Sequence, residues 1–195
     1  MSSEFKTFQY HVNHQGVAIL LMDIPGSNAN VMGDEFRDEL STAIDIIAGD
    51  DNIKGAVISS VKNDFMAGGD LKAMVDMFAN VRDPQIALDI ANSIKPTLRK
   101  IETCGKPIVA AINGAAMGGG LELALACHGR IASDSPNIIM GLPEVTLGLM
   151  PGAGGSQRLP RMIGIQKALD IMLQGRPFNA SKALELGIID NVASA

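Results

Sequence analysis

Short apolar runs of strand character alternate with runs of helical period along this chain. Residues 8–11 and 17–22 read as two strands joined by the turn Asn13-His14-Gln15-Gly16. After a loop at Pro25-Gly26-Ser27-Asn28, the residues Phe36, Leu40, Ala43, Ile44 and Ile47 recur at helical spacing. They predict an amphipathic helix over roughly 33–48. Residues 55–61 form a short apolar strand, 65–70 a glycine-containing turn and 71–78 a helix. Ile86, Ile90, Ile94, Leu98 and Ile101 mark one further helix, kinked at Pro96. Residues 107–112 form a β-branched strand, 121–127 a short helix and 130–133 another strand. Residues 168–173 and 180–186 are helical, each followed by a glycine (Gly175, Gly187) suited to a left-handed cap. Asn179 is placed to cap the second of them, and 188–192 is strand-like. Alternating strands and helices predict an α/β fold.

Composition narrows this picture. The chain has 195 residues, 47% of them hydrophobic, which is enough for a sizeable core and excludes general disorder. Aromatics are only 4%, with no Trp, so aliphatic residues, Ala, Gly and Met must fill that core. The net charge of −5 argues against duplex nucleic acid as a partner, since phosphate binding needs a basic face. Two cysteines, Cys104 and Cys127, make neither a disulfide framework nor a metal-ligand spacing. A reduced, cytoplasmic setting follows, with no metal. The N-terminus lacks an apolar signal core, and no uncharged stretch reads as a membrane span.

Three places look chemical. Glu122 sits in Leu-Glu-Leu-Ala-Leu-Ala-Cys, a helix apolar on all sides and therefore buried. Burial should raise its pKa; the bland alternative is pairing with a buried Arg or capping by backbone amides. The run Gly118-Gly119-Gly120 opens that helix and can bring bare N–H groups to a ligand, or can serve tight packing alone. It lacks the Gly-x-Gly-x-x-Gly order of a dinucleotide site. A second glycine turn, Phe65-Met66-Ala67-Gly68-Gly69-Asp70-Leu71, offers amides that could share one carbonyl oxygen with the first, although an ordinary strand-to-helix turn has the same composition. Glu144 follows Gly141-Leu142-Pro143, beside the glycine-dense segment 148–155. Two carboxylates in apolar settings plus amide-rich loops suit proton transfer next to a carbonyl. His128 has no partner spacing for a triad; His11 and His14 read as solvated. The methionines near these loops read as core filling, and Lys95, Arg99, Lys100 and Lys106 as a solvated helix face.

At these residues the chain resembles the crotonase (enoyl-CoA hydratase/isomerase) superfamily. The matching stretches are 65–71, 106–124, 141–145 and Pro151-Gly152-Ala153-Gly154-Gly155-Ser156-Gln157-Arg158-Leu159-Pro160. The detail Ala126-Cys127-His128-Gly129-Arg130 is most similar to the branch forming the N-terminal domain of multifunctional fatty-acid oxidation complex alpha subunits. The resemblance implies a crotonase-like spiral of ββα units and an acyl-CoA thioester ligand, with coenzyme A present only as part of the substrate and no permanently bound cofactor. It implies Gly69 and Gly119 as the oxyanion hole, Glu122 and Glu144 as catalytic carboxylates, and Gly152 near the attacking water. It implies that Asn28, Ala29, Asn30, Ala67, Gly68, Asp70 and Leu71 hold coenzyme A, largely through backbone.

The implied reaction is hydration of a trans-2-enoyl-CoA to 3-hydroxyacyl-CoA in fatty-acid β-oxidation. Enoyl-CoA isomerase activity is the near alternative, and a non-catalytic acyl-CoA-binding or assembly module the distant one. Implied assemblies are a trimer-like homo-oligomer or a complex with a thiolase subunit. Two departures stand out. The glutamates are 22 positions apart, slightly more than in typical single-activity hydratases, which fits a longer connection around 133–137. The C-terminal helices of the family do not follow Ala195, so the expectation is one crotonase-like domain, 1–195, truncated at its C-terminus.

Overall fold

The computed structural model describes residues 5–194. Strands β1 (Phe8–Val12) and β2 (Val17–Met22) form the antiparallel hairpin, with Phe8 opposite Met22 and Val12 opposite Ala18. Asn13 closes its turn: Oδ1 accepts from the Gln15 and Val17 amides at 2.9 and 3.0 Å. Helix α1 (Asp34–Gly49) buries Phe36, Leu40, Ala43, Ile44 and Ile47, the stripe its spacing predicted.

Strand β3 (Gly55–Ser60) runs parallel to β2, and β4 (Ile108–Ile112) parallel to β3. Then β6 (Gly129–Ser133) and β8 (Asn191–Ala193) extend the sheet, giving the order β1-β2-β3-β4-β6-β8. A second layer holds β5 (Ala116–Met117) and β7 (Met140–Gly141), which pair in parallel. The bridges Met32–Gly69, Met66–Ala116 and Met140–Phe178 continue that layer. The succession β4-β5-α5 and then β6-β7-α6 is two turns of a strand-strand-helix spiral, with α5 spanning Gly119–Ala126 and α6 Gly155–Ile163. The core is mostly aliphatic, with Leu20, Ile44, Ile58, Leu98, Ile108, Leu121 and Leu142 buried alongside Phe8, Phe36 and Phe65.

The single helix expected around Ile86–Ile101 is two. Helices α2 (Leu71–Asn80) and α3 (Pro84–Asn92) are followed by α4 (Ile94–Thr103), with the break at Ser93. Pro96 kinks nothing. It stands in the first turn of α4, where its missing N–H has no intrahelical partner to lose. Helix α4 buries an apolar face through Leu98 and Ile101, whereas Ile86, Leu88 and Ile90 of α3 stay exposed. The last strand is also shorter than expected. Ile188 and Ile189 are buried ahead of it, where the Ile188 amide donates to Ala183 O and Arg130 Nε to Ile188 O, both at 2.8 Å.

One buried polar residue ties the loop after β2 to the loop after β3. Asn30 is 0% exposed. Its Oδ1 accepts from the Ile24 amide, and Nδ2 donates to Ser60 Oγ at 2.8 Å and Phe65 O at 3.2 Å. Its carbonyl accepts from the Ala67 amide at 2.8 Å. Asn30→Ala leaves these side-chain partners buried and unpaired, at a cost of about 2–3 kcal/mol. Thermal denaturation should show a drop of several degrees, whereas Asn28→Ala, at an exposed position, should melt with the parent chain.

Candidate active site

Three parallel crossovers bring the site together at the carboxyl ends of the strands, the usual place for ligands in such sheets. The turn after β3 lies directly against the one after β4: the Met66 amide donates to Ala115 O and the Met117 amide to Met66 O, both at 3.0 Å. Gly118 then takes φ +51°, which a side chain would resist, and its amide donates to Gly141 O at 2.8 Å. That twist starts α5 at Gly119, whose amide is among the first of the helix and has no intrahelical acceptor. A Cβ placed on Gly119 would lie 3.5 Å from the Gly69 nitrogen, so the two backbone amides are neighbours. Neither has an acceptor among the backbone bonds of the described loops. Met32 Sδ and Met74 Sδ flank the pair.

Glu122 is the fourth residue of α5 and 3% exposed. Its Oε1 accepts the Gly155 amide at 2.7 Å. Burial raises its pKa from 4.5 to about 7, and the nearby Glu144 carboxylate adds to the rise. The Gly155 and Ala153 amides and the Arg158 guanidinium pull the other way. Glu144 begins a 3-10 turn (Glu144–Leu147) after β7. A Cβ on Gly118 would lie 3.2 Å from Glu144 Oε1, so this carboxylate stands at the N-terminus of the helix that carries Glu122. Glu144 Oε2 is buried and has no hydrogen-bond partner among the described residues. Burial raises the pKa of Glu144 as well.

The loop before α6 supplies the rest. Gly152, expected near an attacking water, is exposed; the amide that meets Glu122 is that of Gly155. A Cβ on Gly155 would lie 3.0 Å from Glu122 Oε1, so only glycine lets the helix approach the carboxylate. Arg158, one turn further, donates from Nη1 to Ala153 O at 2.9 Å and grips Glu102 of α4 through Nε (2.8 Å) and Nη2 (3.1 Å). Gly155 and Arg158 lay in the family-like stretch 151–160 without an assigned role, and Glu102 was not singled out from sequence. A paired glycine just ahead of an amphipathic helix was the available signal for the first.

The segments expected to hold coenzyme A lie beside this centre. Ala67 is exposed, Gly68 buried and Asp70 half-buried, with Oδ1 capping α2 through the Ala73 amide at 3.0 Å. Leu71 is exposed on α2. Asn28 is exposed and Ala29 half-buried, whereas the Asn30 side chain is consumed inside the protein. A cavity of about 350 Å³ lies beside this loop, lined by Ile24, Pro25, Ser27, Val31 and Asp70 among others. Another of about 320 Å³ lies against α7 (Ile165–Gln174) and α8 (Ala180–Leu186), and neither glutamate lines it.

Other reactive groups are spent structurally. His128 Nδ1 accepts the Ile108 amide at 3.1 Å, and burial pushes the Cys127 thiol up to about 12. Among the described residues, no group of three or more His, Cys, Asp or Glu side chains is arranged to hold a metal. No helix among them is long and apolar enough to cross a membrane.

The chain is similar to known proteins over nearly all of its length. It is 45% identical over 188 residues to the fatty acid oxidation complex subunit alpha of Shewanella loihica, covering 96% of this chain and 26% of that protein. It thus spans about a quarter of the length of the curated relatives it matches. Among solved structures, the enoyl-CoA hydratase of Bacillus anthracis superposes with a TM-score of 0.86 at 32% identity, over 96% of this chain and 70% of that one. The enoyl-CoA hydratase of Bacillus halodurans gives 0.88 at 25% identity, over 97% and 74%. With residues 13–195 matching the enoyl-CoA hydratase/isomerase family model, and with the spiral of its relatives, this chain belongs to the enoyl-CoA hydratase/isomerase family.

Proposed function

We propose that the chain hydrates trans-2-enoyl-CoA thioesters to 3-hydroxyacyl-CoA, as a step of fatty-acid β-oxidation. The carrying observation is the buried, unpartnered Oε2 of Glu144 at the N-terminus of the helix that presents Glu122. A carboxyl oxygen left without a protein partner has its hydrogen bond free for a reacting molecule.

In this reading the thioester carbonyl accepts from the Gly69 and Gly119 amides. Glu122 takes a proton from water as the water oxygen bonds C3. The C2–C3 electron pair moves toward the carbonyl, whose developing negative charge the two amides stabilise. Glu144 then delivers a proton to C2, and the carbonyl re-forms. Each amide is worth about 3 kcal/mol in the transition state. Coenzyme A enters only as the carrier of the acyl group, held beside 28–30 and 67–71. The relatives' name is that of a complex subunit, and the same kind of membership is proposed for this chain.

The test follows loss of enoyl-thioester absorbance. Glu144→Gln should lower kcat by about 10²- to 10⁴-fold, the range of a positioned acid or base. Activity of the parent chain should be bell-shaped in pH, rising as Glu122 loses its proton and falling as Glu144 loses the one it must deliver. Full turnover in both Glu122→Gln and Glu144→Gln would overturn the two-carboxylate reading. Because Glu144 alone could carry a proton between C2 and C4, a 3-enoyl thioester is the second substrate to assay. Conversion that survives Glu122→Gln but not Glu144→Gln would mark isomerisation.

A further inference from the structure

We infer that Arg158, gripped by Glu102, is a positioning residue for the carboxylate of Glu122. The inference rests on the proposed role of Glu122 and adds how that group is held. Arg158 touches no reacting atom. It donates to the Ala153 carbonyl at 2.9 Å and so fixes the Ala153–Gly154 peptide. The next amide, of Gly155, is the one that reaches Glu122 Oε1 at 2.7 Å.

Glu102 holds the guanidinium from the far side with both carboxylate oxygens, a forked geometry that restrains its plane as well as its position. The pair is largely sheltered, with side-chain exposures of 15% and 26%. Gly154 lies between the Ala153 carbonyl and the Gly155 amide, against the same guanidinium. Its φ is +111°, and a Cβ there would collide with Arg158 Nη1. The chain therefore runs from α4 through Glu102, Arg158, Ala153 O and the Gly155 amide to Glu122.

An ion pair serving only to dock α6 on α4 needs no contact to the loop. Here one guanidinium does both. Loss of Arg158 removes a positive charge near Glu122 and frees the loop amides that favour its ionised form, so both effects raise its pKa. The other charged groups around it are Glu144 across the site and Glu102 behind Arg158. Cys127, just past the end of α5, stays a neutral thiol, and Arg130 turns away to the Cys127 and Ile188 carbonyls and Asp190.

Two readouts test this. One is kcat and KM across pH for Arg158→Gln, Arg158→Lys and Glu102→Gln. The other is the titration of the Glu122 carboxylate by carbon-13 NMR, assigned by its loss in Glu122→Gln. Arg158→Gln should lower kcat by about 10-fold or more with KM within about 3-fold, as expected for misplacement of a reacting group. The Glu122 titration should move up by about half a unit or more. Glu102→Gln should follow in the same direction to a lesser extent. Arg158→Lys, which keeps one donor for Ala153 O, should recover part of the rate. Arg161→Gln, on an exposed part of the same helix, should leave both readouts in place.

A variant that melts earlier yet keeps its Glu122 titration and its kcat per folded molecule would overturn the inference. Should Arg158→Gln fail to fold, Glu102→Gln and Arg158→Lys carry the same decision. If Glu122→Gln itself retains turnover, the proposed mechanism falls, while the NMR titration still decides whether Arg158 positions the carboxylate.

Discussion

Glu122→Gln should make the chain more stable at pH 8 while removing most of its turnover. In the unfolded chain this carboxyl has its ordinary pKa of 4.5; in the folded chain burial lifts it to about 7. Between those values the folded state holds a proton that the unfolded state has released. Stability therefore falls as pH rises through that window, and the whole cost is present above about 7. A shift of this size corresponds to about 3 kcal/mol. Gln has no charge to desolvate and keeps an oxygen for the Gly155 amide. At pH 8 the variant should melt several degrees above the parent, since each kcal/mol is about 2–4 °C for a chain of this length. At pH 4 the two should melt together. The same substitution removes the proposed base and should cut kcat by about 10²-fold or more. Equal melting at pH 8 would mean that the carboxylate is not held ionised against its surroundings.

Neighbouring glycines at the start of α5 should fail in opposite ways when changed to Ala. At Gly120 a Cβ would collide with Met66 O and lie 2.9 Å from Met66 Cβ. The helix must then shift off the turn after β3, at a cost of about 1–3 kcal/mol or somewhat more. That shift also parts the amides of Gly69 and Gly119, so stability and turnover should drop together. At Gly119 a Cβ meets nothing closer than 3.5 Å, and Ala is the better helix former by about 1 kcal/mol. Gly119→Ala should be as stable as the parent, or more so, yet impaired, because its methyl group intrudes where the two amides meet. Denaturant melts and initial rates on the same preparations separate the two outcomes. A fully active Gly120→Ala would show that this packing does not set the amide geometry.

Much of this architecture was readable from periodicity. The α1 stripe from Phe36 to Ile47 follows from the sequence pattern because it faces one core, whereas β2 is apolar at all six positions and its alternating burial is not written in its sequence. The two-residue strands β5 and β7 carry no period at all, and their partners lie far away in sequence. The break between α3 and α4 was invisible for another reason. Isoleucines at helical spacing say that a face exists, but not that anything packs on it, and the α3 face stays open. Pro96 was misread because a proline inside a long periodic run looks like a kink, whereas the same residue in a first turn marks a beginning.

At the site, Glu122 stood out because every neighbour in its helix is apolar, and its burial and raised pKa followed that expectation. Glu144 was legible through its place after Gly141-Leu142-Pro143, its glycine-rich company and the family-like stretch 141–145. Arg158 stood in the family-like stretch 151–160 without an assigned role, and Glu102 gave no sign, since nothing local in the sequence shows that the two are paired by tertiary contact.

The sheet order has a consequence for how this chemistry can be moved. Parallel neighbours are never joined by a tight turn, so from β2 onward each strand of the main sheet is separated from the next strand of that sheet by a crossover. The groups at the centre come from the crossovers after β3, β4 and β6, from Gly69 as far as Arg158. No single strand-helix-strand unit contains both an amide pair and a carboxylate pair. Grafting the glycine-rich loops or the helix of Glu122 onto another scaffold would therefore transfer fragments of sequence without the arrangement that makes them reactive. The smallest portable version of this site is most of the spiral itself.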